Sequence, residues 1–524
     1  MSADRGDILI GIDAGTSVIK AIAFDLAGKP VAMASVPNVY TTRPDGAAVQ
    51  SMPETWASCA QTLRDLAAKV EGLAGRVAAL AVTGQGDGTW LVDDDGAPVG
   101  EAWLWLDARA APVVERLQGT DADNARFETT GVGLNTCQMS AQLTHMKATT
   151  PEHVHAAATA FHCKDWLYFN LTGIRATGPC EAVFTFGDFR TRAYDDAVID
   201  AFGLLPEKRL LPEIVDGTEV THPLSADAAE ATGLRAGTPV ALGYLDVSCT
   251  ALGGGIYGGA GATGCTIIGS TGMHMRATPH DQVYLNPDRT GYVMPLPIPG
   301  MVAQLQSNMA ATLNIDWLLG LAAELIGAFG QEVTLQDLIA RIDGWLAATA
   351  PGHVLFHPYI SKAGERGPFI DNDARASFAG LSTAHRFPDM VRAVIEGLGL
   401  ASRDCYAEMG EIPDEVRLTG GAAHSPALRA IFAGCLGSHV RTMDRDEAGA
   451  AGAAMIAAVA IGAYPDMDAC IAAWVDPLLS NPEAPDPALT AHYARLYPAY
   501  RAMRQAMPPI WASLADHKGA GLGH

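Results

Sequence analysis

Between Ile8 and Asp25 the chain reads ILIGIDAGTSVIKAIAFD, two apolar runs split by the polar stretch Asp13-Ala14-Gly15-Thr16-Ser17. The pattern predicts a buried strand, a tight turn and a second strand, a hairpin whose chemistry lies in its turn. Gly15 lets backbone N–H groups come close to an anion, and Thr16 and Ser17 add hydroxyl donors. Asp13 stands where a metal bound to phosphate would need a hard oxygen ligand. Taken alone, the same residues fit an ordinary polar hairpin turn at least as well, because short glycine motifs carry little information.

The theme returns in the second half. Gly264 to Ile268 is an apolar strand that runs into Gly269-Ser270-Thr271-Gly272. Two such units suggest two related lobes facing one ligand, with a nucleotide clamped between them. The chain has 524 residues, more than one core supports, so at least two domains are expected. Gly253-Gly254-Gly255 and Gly258-Gly259 place the boundary near residue 255, giving lobes 1–254 and 255–524.

Several other segments end in polar residues. Pro44 to Gln50 reads as a loop, and Ser51-Met52-Pro53-Glu54 as a capping box opening a helix whose buried stripe is Leu63, Leu66, Val70 and Leu73. Val77 to Val82 is a buried strand that leads into the glycine-rich loop Thr83-Gly84-Gln85-Gly86-Asp87-Gly88-Thr89. In Trp103-Leu104-Trp105-Leu106-Asp107-Ala108-Arg109, two tryptophans precede an Asp and an Arg. They fit either core aromatics beside a surface ion pair or a sugar or polyol site, in which an aromatic face packs on C–H groups while Asp and Arg bind hydroxyls. Pro239 to Leu245 is a strand that delivers Asp246 to its end, where either a general base or a helix N-cap is reasonable. Val416 to Thr419 enters Gly420-Gly421-Ala422-Ala423-His424-Ser425-Pro426, a strand–glycine–helix join that could receive adenosine or its phosphates, or could serve packing alone. Asp444 to Glu447 reads as a capping box opening the smooth helix Ala448 to Ala454, and a terminal helix starts near Leu489 with Tyr493, Leu496 and Tyr497.

The net charge of −23 argues against nucleic-acid backbones and anionic membranes as partners, but leaves room for a nucleotide held by local N–H groups and a cation. The nine cysteines are scattered without metal-ligand spacing. The N-terminus MSADRGD leads into a strand without an apolar signal core, and no uninterrupted apolar stretch reads as a membrane span. These features favour a reducing cytoplasm.

In order and spacing, the constellation resembles the FGGY family of carbohydrate kinases within the actin-like ATPase superfamily. The resemblance rests on Gly11-Ile12-Asp13-Ala14-Gly15-Thr16-Ser17 with Lys20, Trp105 to Arg109, Lys164-Asp165-Trp166 through Leu171-Thr172-Gly173, Gly243 to Asp246, Gly269 to Thr271, Gly420 to Pro426 and Glu447 to Ala454, and it covers nearly the whole chain. It implies an α/β fold of two ribonuclease-H-like domains with the active site in the cleft between them. The first domain would bind carbohydrate and the second nucleotide. It implies transfer of the terminal phosphoryl of ATP to a sugar or polyol hydroxyl with Mg²⁺. By position, Asp246 is the implied catalytic base, and Asp13 and Asp246 the implied metal carboxylates. Gly15, Thr16, Ser17, Lys20, Gly269, Ser270, Thr271, Asn314, Gly420, Gly421, Ala422 and Ser425 would bind the nucleotide and its phosphates. Gln85, Gly86, Asp87, Trp105, Asp107, Arg109 and Asp246 would contact the acceptor. A homodimer is common in the family. Many members carry an Asp soon after the Thr where this chain has Thr177-Gly178-Pro179-Cys180-Glu181.

Members acting on xylulose typically carry Met-His-Gly after the Gln, and those acting on glycerol carry Arg-Glu. This chain has Gln85-Gly86-Asp87-Gly88-Thr89-Trp90. Exchanging an imidazole for a carboxylate leaves a pure acceptor, which suits a hydroxyl-rich substrate without repelling a ketose. The loop is similar to that of the erythritol-directed branch and implies a terminal hydroxyl of erythritol as acceptor. Other polyols and pentuloses such as D- or L-xylulose remain alternatives. Two other classes fit parts of the pattern. The first is a non-catalytic actin-like scaffold or sugar sensor, against which Asp13, Asp246, Asp107 and Arg109 argue. The second is a dinucleotide-binding oxidoreductase, against which the missing G-x-G-x-x-G fingerprint argues.

Overall fold

A computed structural model describes residues 6–257 and 263–519, so Gly258 and Gly259 lie outside the described residues. The first lobe is built on a six-stranded sheet of β1 (Ile8–Ala14), β2 (Val18–Asp25), β3 (Pro30–Pro37), β4 (Val77–Gly84), β5 (Thr221–Pro223) and β6 (Pro239–Leu242), in the order β5-β6-β4-β1-β2-β3. The opening hairpin forms as its pattern predicts, with Asp13 paired across from Lys20. β3 extends it as an antiparallel meander, and β4 and β6 lie parallel to β1 and to each other. β1 is the centre of the sheet, covered on both faces, which is why it is almost uninterruptedly apolar.

Helix α1 (Met52–Lys69) covers one face, with Ser51 accepting the Glu54 N–H as its N-cap at 3.4 Å. It stops at Lys69. Val70 is its C-cap and Leu73 opens a separate short turn, so the expected stripe spans two elements, although all four of its residues are buried. The segment read as a loop before it contains a short strand, Ala48–Gln50, which pairs with Ala102–Trp103. That pairing joins residues some fifty positions apart, and local polarity does not encode it. Helix α2 (Asp246–Gly253) follows β6 after an irregular three-residue step.

The second lobe repeats the plan with β7 (Thr263–Ile268), β8 (Gly272–Pro279), β9 (Tyr292–Pro295), β10 (Met301–Asn308), β11 (Glu415–Thr419) and β12 (His439–Thr442), in the order β9-β10-β8-β7-β11-β12. A meander of β7, β8 and β10 again stands beside parallel strands, here β11 and β12. Around this sheet lie helices α3 (Thr312–Ala328), α4 (Phe387–Ala407), α5 (Pro426–Leu436), α6 (Ala448–Ala460) and α7 (Pro487–Ala506). Among the described residues no helix is long and apolar enough to cross a membrane. α7 starts two residues before Leu489, where Asp486 caps it, and buries Tyr493 and Tyr500 completely. Its hydroxyls reach into the lobe: Tyr493 donates to Glu396 at 2.9 Å and Tyr497 to Asp404 at 2.7 Å.

The lobes are joined by α2 and α6, which cross at backbone contact. A Cβ on Gly253 would lie 2.1 Å from the Ala448 carbonyl oxygen, and one on Gly452 would lie 2.1 Å from that of Cys249. α6 also lies against the first sheet, where a Cβ on Gly11 would meet the Ala450 carbonyl oxygen at 1.8 Å. Every residue from Gly449 to Ala458 is buried, which explains why this helix is smooth on all sides. The expected capping box at its start does not form. Glu447 is the N-cap but makes no capping bond, because its carboxylate is taken by Lys20 of the other lobe at 2.8 Å.

Because nothing but backbone fills the crossing, Gly11→Ala is expected to destabilise the protein by about 1–3 kcal/mol or more, read by chemical denaturation. Stability within about 0.5 kcal/mol of wild type would show that α6 can move away at no cost.

Candidate active site

The hairpin turn, the end of β4 and the start of α2 converge at the cleft. Asp13 is the next-to-last residue of β1, level with Thr83 on β4. Burial raises its carboxyl to about 6, although the Lys20 ammonium pulls the other way. Asp246 is the first residue of α2. Burial, and then the charge of Asp13, push its carboxyl well above the ordinary carboxylate range, while the Val247 N–H donated to Oδ1 at 2.7 Å opposes that. Gly449 leaves Asp13 its room, since a Cβ there would lie 2.6 Å from Asp13 Oδ2. Two half-buried carboxylates, both shifted upward and one of them raised by the charge of the other, form a donor set in need of positive charge. It suits Mg²⁺, which takes one or two carboxylates and completes its shell with water and phosphate oxygens.

Gly15 and Thr16 are half-buried at the turn and Ser17 is exposed. Asn38 holds the turn by donating to the Gly15 carbonyl at 2.9 Å. Across the cleft, Gly269-Ser270-Thr271 sits against the start of α3, where Ala311 N–H donates to the Ser270 carbonyl at 2.7 Å and Thr312 N–H to that of Gly269 at 3.0 Å. Asn314 is fully buried in the first turn of α3, with its Nδ2 on the Ala310 and Ala311 carbonyls and its Oδ1 unpartnered. After β11, Gly420 turns in the left-handed region (φ 91°), where a Cβ would meet the Ile268 carbonyl oxygen at 2.4 Å, and Gly421 faces open space. Ala422 lies in the short turn Gly421–His424. The Ser425 hydroxyl caps α5 and donates to Asp343 at 2.6 Å, so it is engaged within its own lobe.

A chain of side-chain hydrogen bonds links the hairpin turn to the loop after β4. Trp105 Nε1 donates to Thr16 Oγ1 at 2.9 Å, Thr16 donates to Gln85 Oε1 at 2.9 Å, and Gln85 Nε2 donates to Gln50 at 2.8 Å. Gly86 is pressed against Leu245, where a Cβ would fall 1.8 Å from a methyl carbon. Trp105 is 36% exposed, whereas Trp103 is buried under the Arg109 guanidinium at 3.4 Å. Asp107 is fully buried, and its oxygens accept from the Ala48 N–H at 2.9 Å, from the Arg109 N–H at 3.0 Å and from the Arg109 side chain at 2.6–3.1 Å. It therefore orients Arg109 from beneath.

Other groups at the site are not evident from local sequence. Lys164 and Asp165 are fully buried and bonded at 2.5 Å, and Glu181 lies 3.1 Å from the same ammonium, so Glu181 serves the polar core of this region. Burial opposes ionisation of Asp165, yet Lys164 and His162 hold it down to about 2, whereas burial pushes Glu181 up. From the second lobe, Tyr292 on β9 donates to Asp87 at 3.1 Å; burial raises the Asp87 carboxyl, and the bonds from Cys137 and Tyr292 and the charges of His162 and Arg366 pull the other way. The loop carrying Arg366 is anchored by Glu365, which accepts from the Met309 N–H at 2.8 Å and the Arg366 N–H at 2.9 Å. The motif Gly364-Glu365-Arg366-Gly367-Pro368 was the available signal, but it lies in a stretch that reads only as a polar loop.

Two lobes of one plan, each offering a phosphate-sized turn to a shared cleft that holds buried carboxylates, define a phosphoryl-transfer enzyme of the actin-like type. The chain belongs to the FGGY family of carbohydrate kinases: the family's N-terminal domain matches residues 8–253 and its C-terminal domain residues 264–461. It is 59% identical over 515 residues to erythritol kinase of Brucella abortus, covering 98% of this chain and 99% of that protein. It is 25% identical to xylulose kinase of Lactococcus lactis, covering 98% and 99% of the two chains. Among solved structures, xylulose kinase from Rhodospirillum rubrum is 26% identical with a TM-score of 0.86, covering 96% of this chain and 100% of that one.

Glu365 offers a check on the loop beside the site. Burial raises its carboxyl from an ordinary 4.5 to about 8, so the folded state favours the protonated form. Its contribution to stability is therefore fully present below pH 4.5 and is lost as pH rises through about 8. Glu365→Gln is expected to remove this loss, so that the gap in melting temperature between variant and wild type moves in the variant's favour between pH 5 and pH 9. A gap that does not change with pH would place the Glu365 carboxyl in water.

Proposed function

We propose that the protein transfers the γ-phosphoryl of ATP to a terminal hydroxyl of erythritol. The observation that carries this reading is the 59% identity, over 98% of the chain, to a protein named erythritol kinase. The acceptor side of the cleft supports it, since the exposed Trp105 face and the acceptor Asp87 suit a small, hydroxyl-rich molecule. Residues 1–254 would bind the polyol and residues 255–524 the nucleotide.

In this reading Asp246 is the general base. It takes the proton of the attacking hydroxyl, and the burial that raises its pKa makes it the stronger acceptor. Backbone N–H groups of Gly15 to Ser17 and of Ser270 and Thr271 receive phosphate oxygens from opposite walls. Gly420 and Gly421 leave room for the nucleotide. Asp13 and Asp246 would hold Mg²⁺, which when bound neutralises charge on the phosphates. Lys20, paired with Glu447, spans the two lobes beside this point and fixes their relation when the cleft is shut. Excluding water keeps ATP from being hydrolysed without an acceptor. All nine cysteines are free, buried thiols, which accords with a reducing cytoplasm. The family resemblance also implies a homodimer, which light scattering on the purified protein tests.

Asp246→Asn is expected to lower kcat by about 10²–10⁴-fold while ATP affinity stays within a few-fold of wild type. Near-full turnover would remove Asp246 from the role of base. A coupled assay over erythritol, other tetritols, pentitols, glycerol and pentuloses is expected to give the highest kcat/KM for erythritol. A higher value for D- or L-xylulose would overturn the substrate assignment.

A further inference from the structure

We infer that Tyr292, carried by the second lobe, is a positioning residue for acceptor recognition: it fixes one oxygen of Asp87 so that the other, Oδ1, receives a hydroxyl of the polyol. The inference rests on the polyol reading above and adds to it a residue from the opposite lobe. Asp87 adopts φ 54°, a left-handed conformation that is uncommon outside glycine and is held by its surroundings. Its Oδ2 accepts two bonds, from the Tyr292 hydroxyl at 3.1 Å and from the Cys137 thiol at 3.3 Å. Its Oδ1 is buried and has no partner among the described residues.

A buried carboxylate oxygen without a donor is costly, and a cleft built for a ligand is where such a deficit is made good by that ligand. A hydroxyl can donate to Oδ1. A ketose carbonyl at the same place cannot, and would leave the carboxylate unpaired. The phenol that sets this arrangement is itself fixed. Asn135 Nδ2 donates to its oxygen at 3.4 Å, its ring meets Phe184 edge-on at 5.8 Å, and the neighbouring Gly291 carbonyl accepts the Gly133 N–H at 2.8 Å. Since Asp87 and Tyr292 belong to different lobes, the acceptor oxygen is correctly aimed only when the lobes stand as they do here. Acceptor choice and lobe closure are thereby tied to one hydrogen bond.

The test uses the full chain with Tyr292→Phe, Asp87→Asn and the double variant, each first shown to melt as a folded protein, with KM measured for erythritol and for ATP. Tyr292→Phe is expected to raise KM for erythritol about tenfold, with kcat and KM for ATP within about twofold of wild type. It should also lower the ratio of kcat/KM for erythritol to that for D-xylulose. The double variant should be no worse than Asp87→Asn alone, because both changes remove one unit. Tyr292→His, which restores a donor, should recover part of the loss. A wild-type KM in Tyr292→Phe overturns the inference. Equal rises in both KM values, or additive losses in the double variant, also overturn it, because they mark Tyr292 as a seal between lobes. If Tyr292→Phe fails to fold, Cys137→Ala, which removes the other donor to Oδ2, carries the same expectations. If wild type ignores erythritol but phosphorylates another acceptor, the substrate reading fails by itself, and the same variants measured on that acceptor decide the inference separately.

Discussion

The architecture depends on one contact with almost nothing in it. α6 lies on β1 and α2 with backbone against backbone, and Gly11, Gly253 and Gly452 are the positions that allow it. Because the helix is buried on nearly every side, it carries no polar residue for solvent, and its first seven residues are all Ala or Gly, with the larger Met455 and Ile456 following in the core. Its role is to bring a helix of the second lobe against the first strand of the other lobe. Gly449 is placed there beside Asp13, and Glu447 beside Lys20. The chemistry of the cleft follows from that closeness. Two carboxylates are forced out of water next to one another, and both shift upward as a result.

The proposed acceptor side is built on a different principle. Where the turns at Gly269 and Gly420 use glycine and backbone, it uses a relay of side chains running from Thr16 through Gln85 to Gln50, with Trp105 joined to Thr16. Phosphate geometry is common to all substrates of a kinase and can be read by a rigid backbone. The acceptor differs from one family member to another, and replaceable side chains are the cheaper place to encode the difference.

Much of this was legible because it is local. The opening hairpin, the second strand-and-turn unit and the Ser51 cap each rest on residues within a few positions of one another, and the structure forms all three. What sequence reading missed is nonlocal. Ala48–Gln50 looks like a loop until Ala102–Trp103 pairs with it. The box at Asp444 to Glu447 fails because the helix starts at Ala448, and the Glu447 carboxylate instead binds a lysine more than four hundred positions away. Asp107 and Arg109 read equally as a ligand site or an ion pair, and only burial shows that Asp107 is spent on Arg109 and the Ala48 N–H. Tyr292 carried no signal, since its partner Asp87 lies 205 residues earlier.

The recurring family pattern ends at residue 461, yet the second lobe does not end there. α7 supplies two of its largest fully buried rings, and its hydroxyls satisfy Glu396 and Asp404, carboxylates buried on α4. The segment that relatives share and the unit that builds one core are therefore different lengths of chain. Tolerance to mutation in the tail is set by this debt to the core, and not by its distance from the reacting atoms. A tail that varies freely along its exposed face should be nearly fixed at Tyr493, Tyr497 and Tyr500.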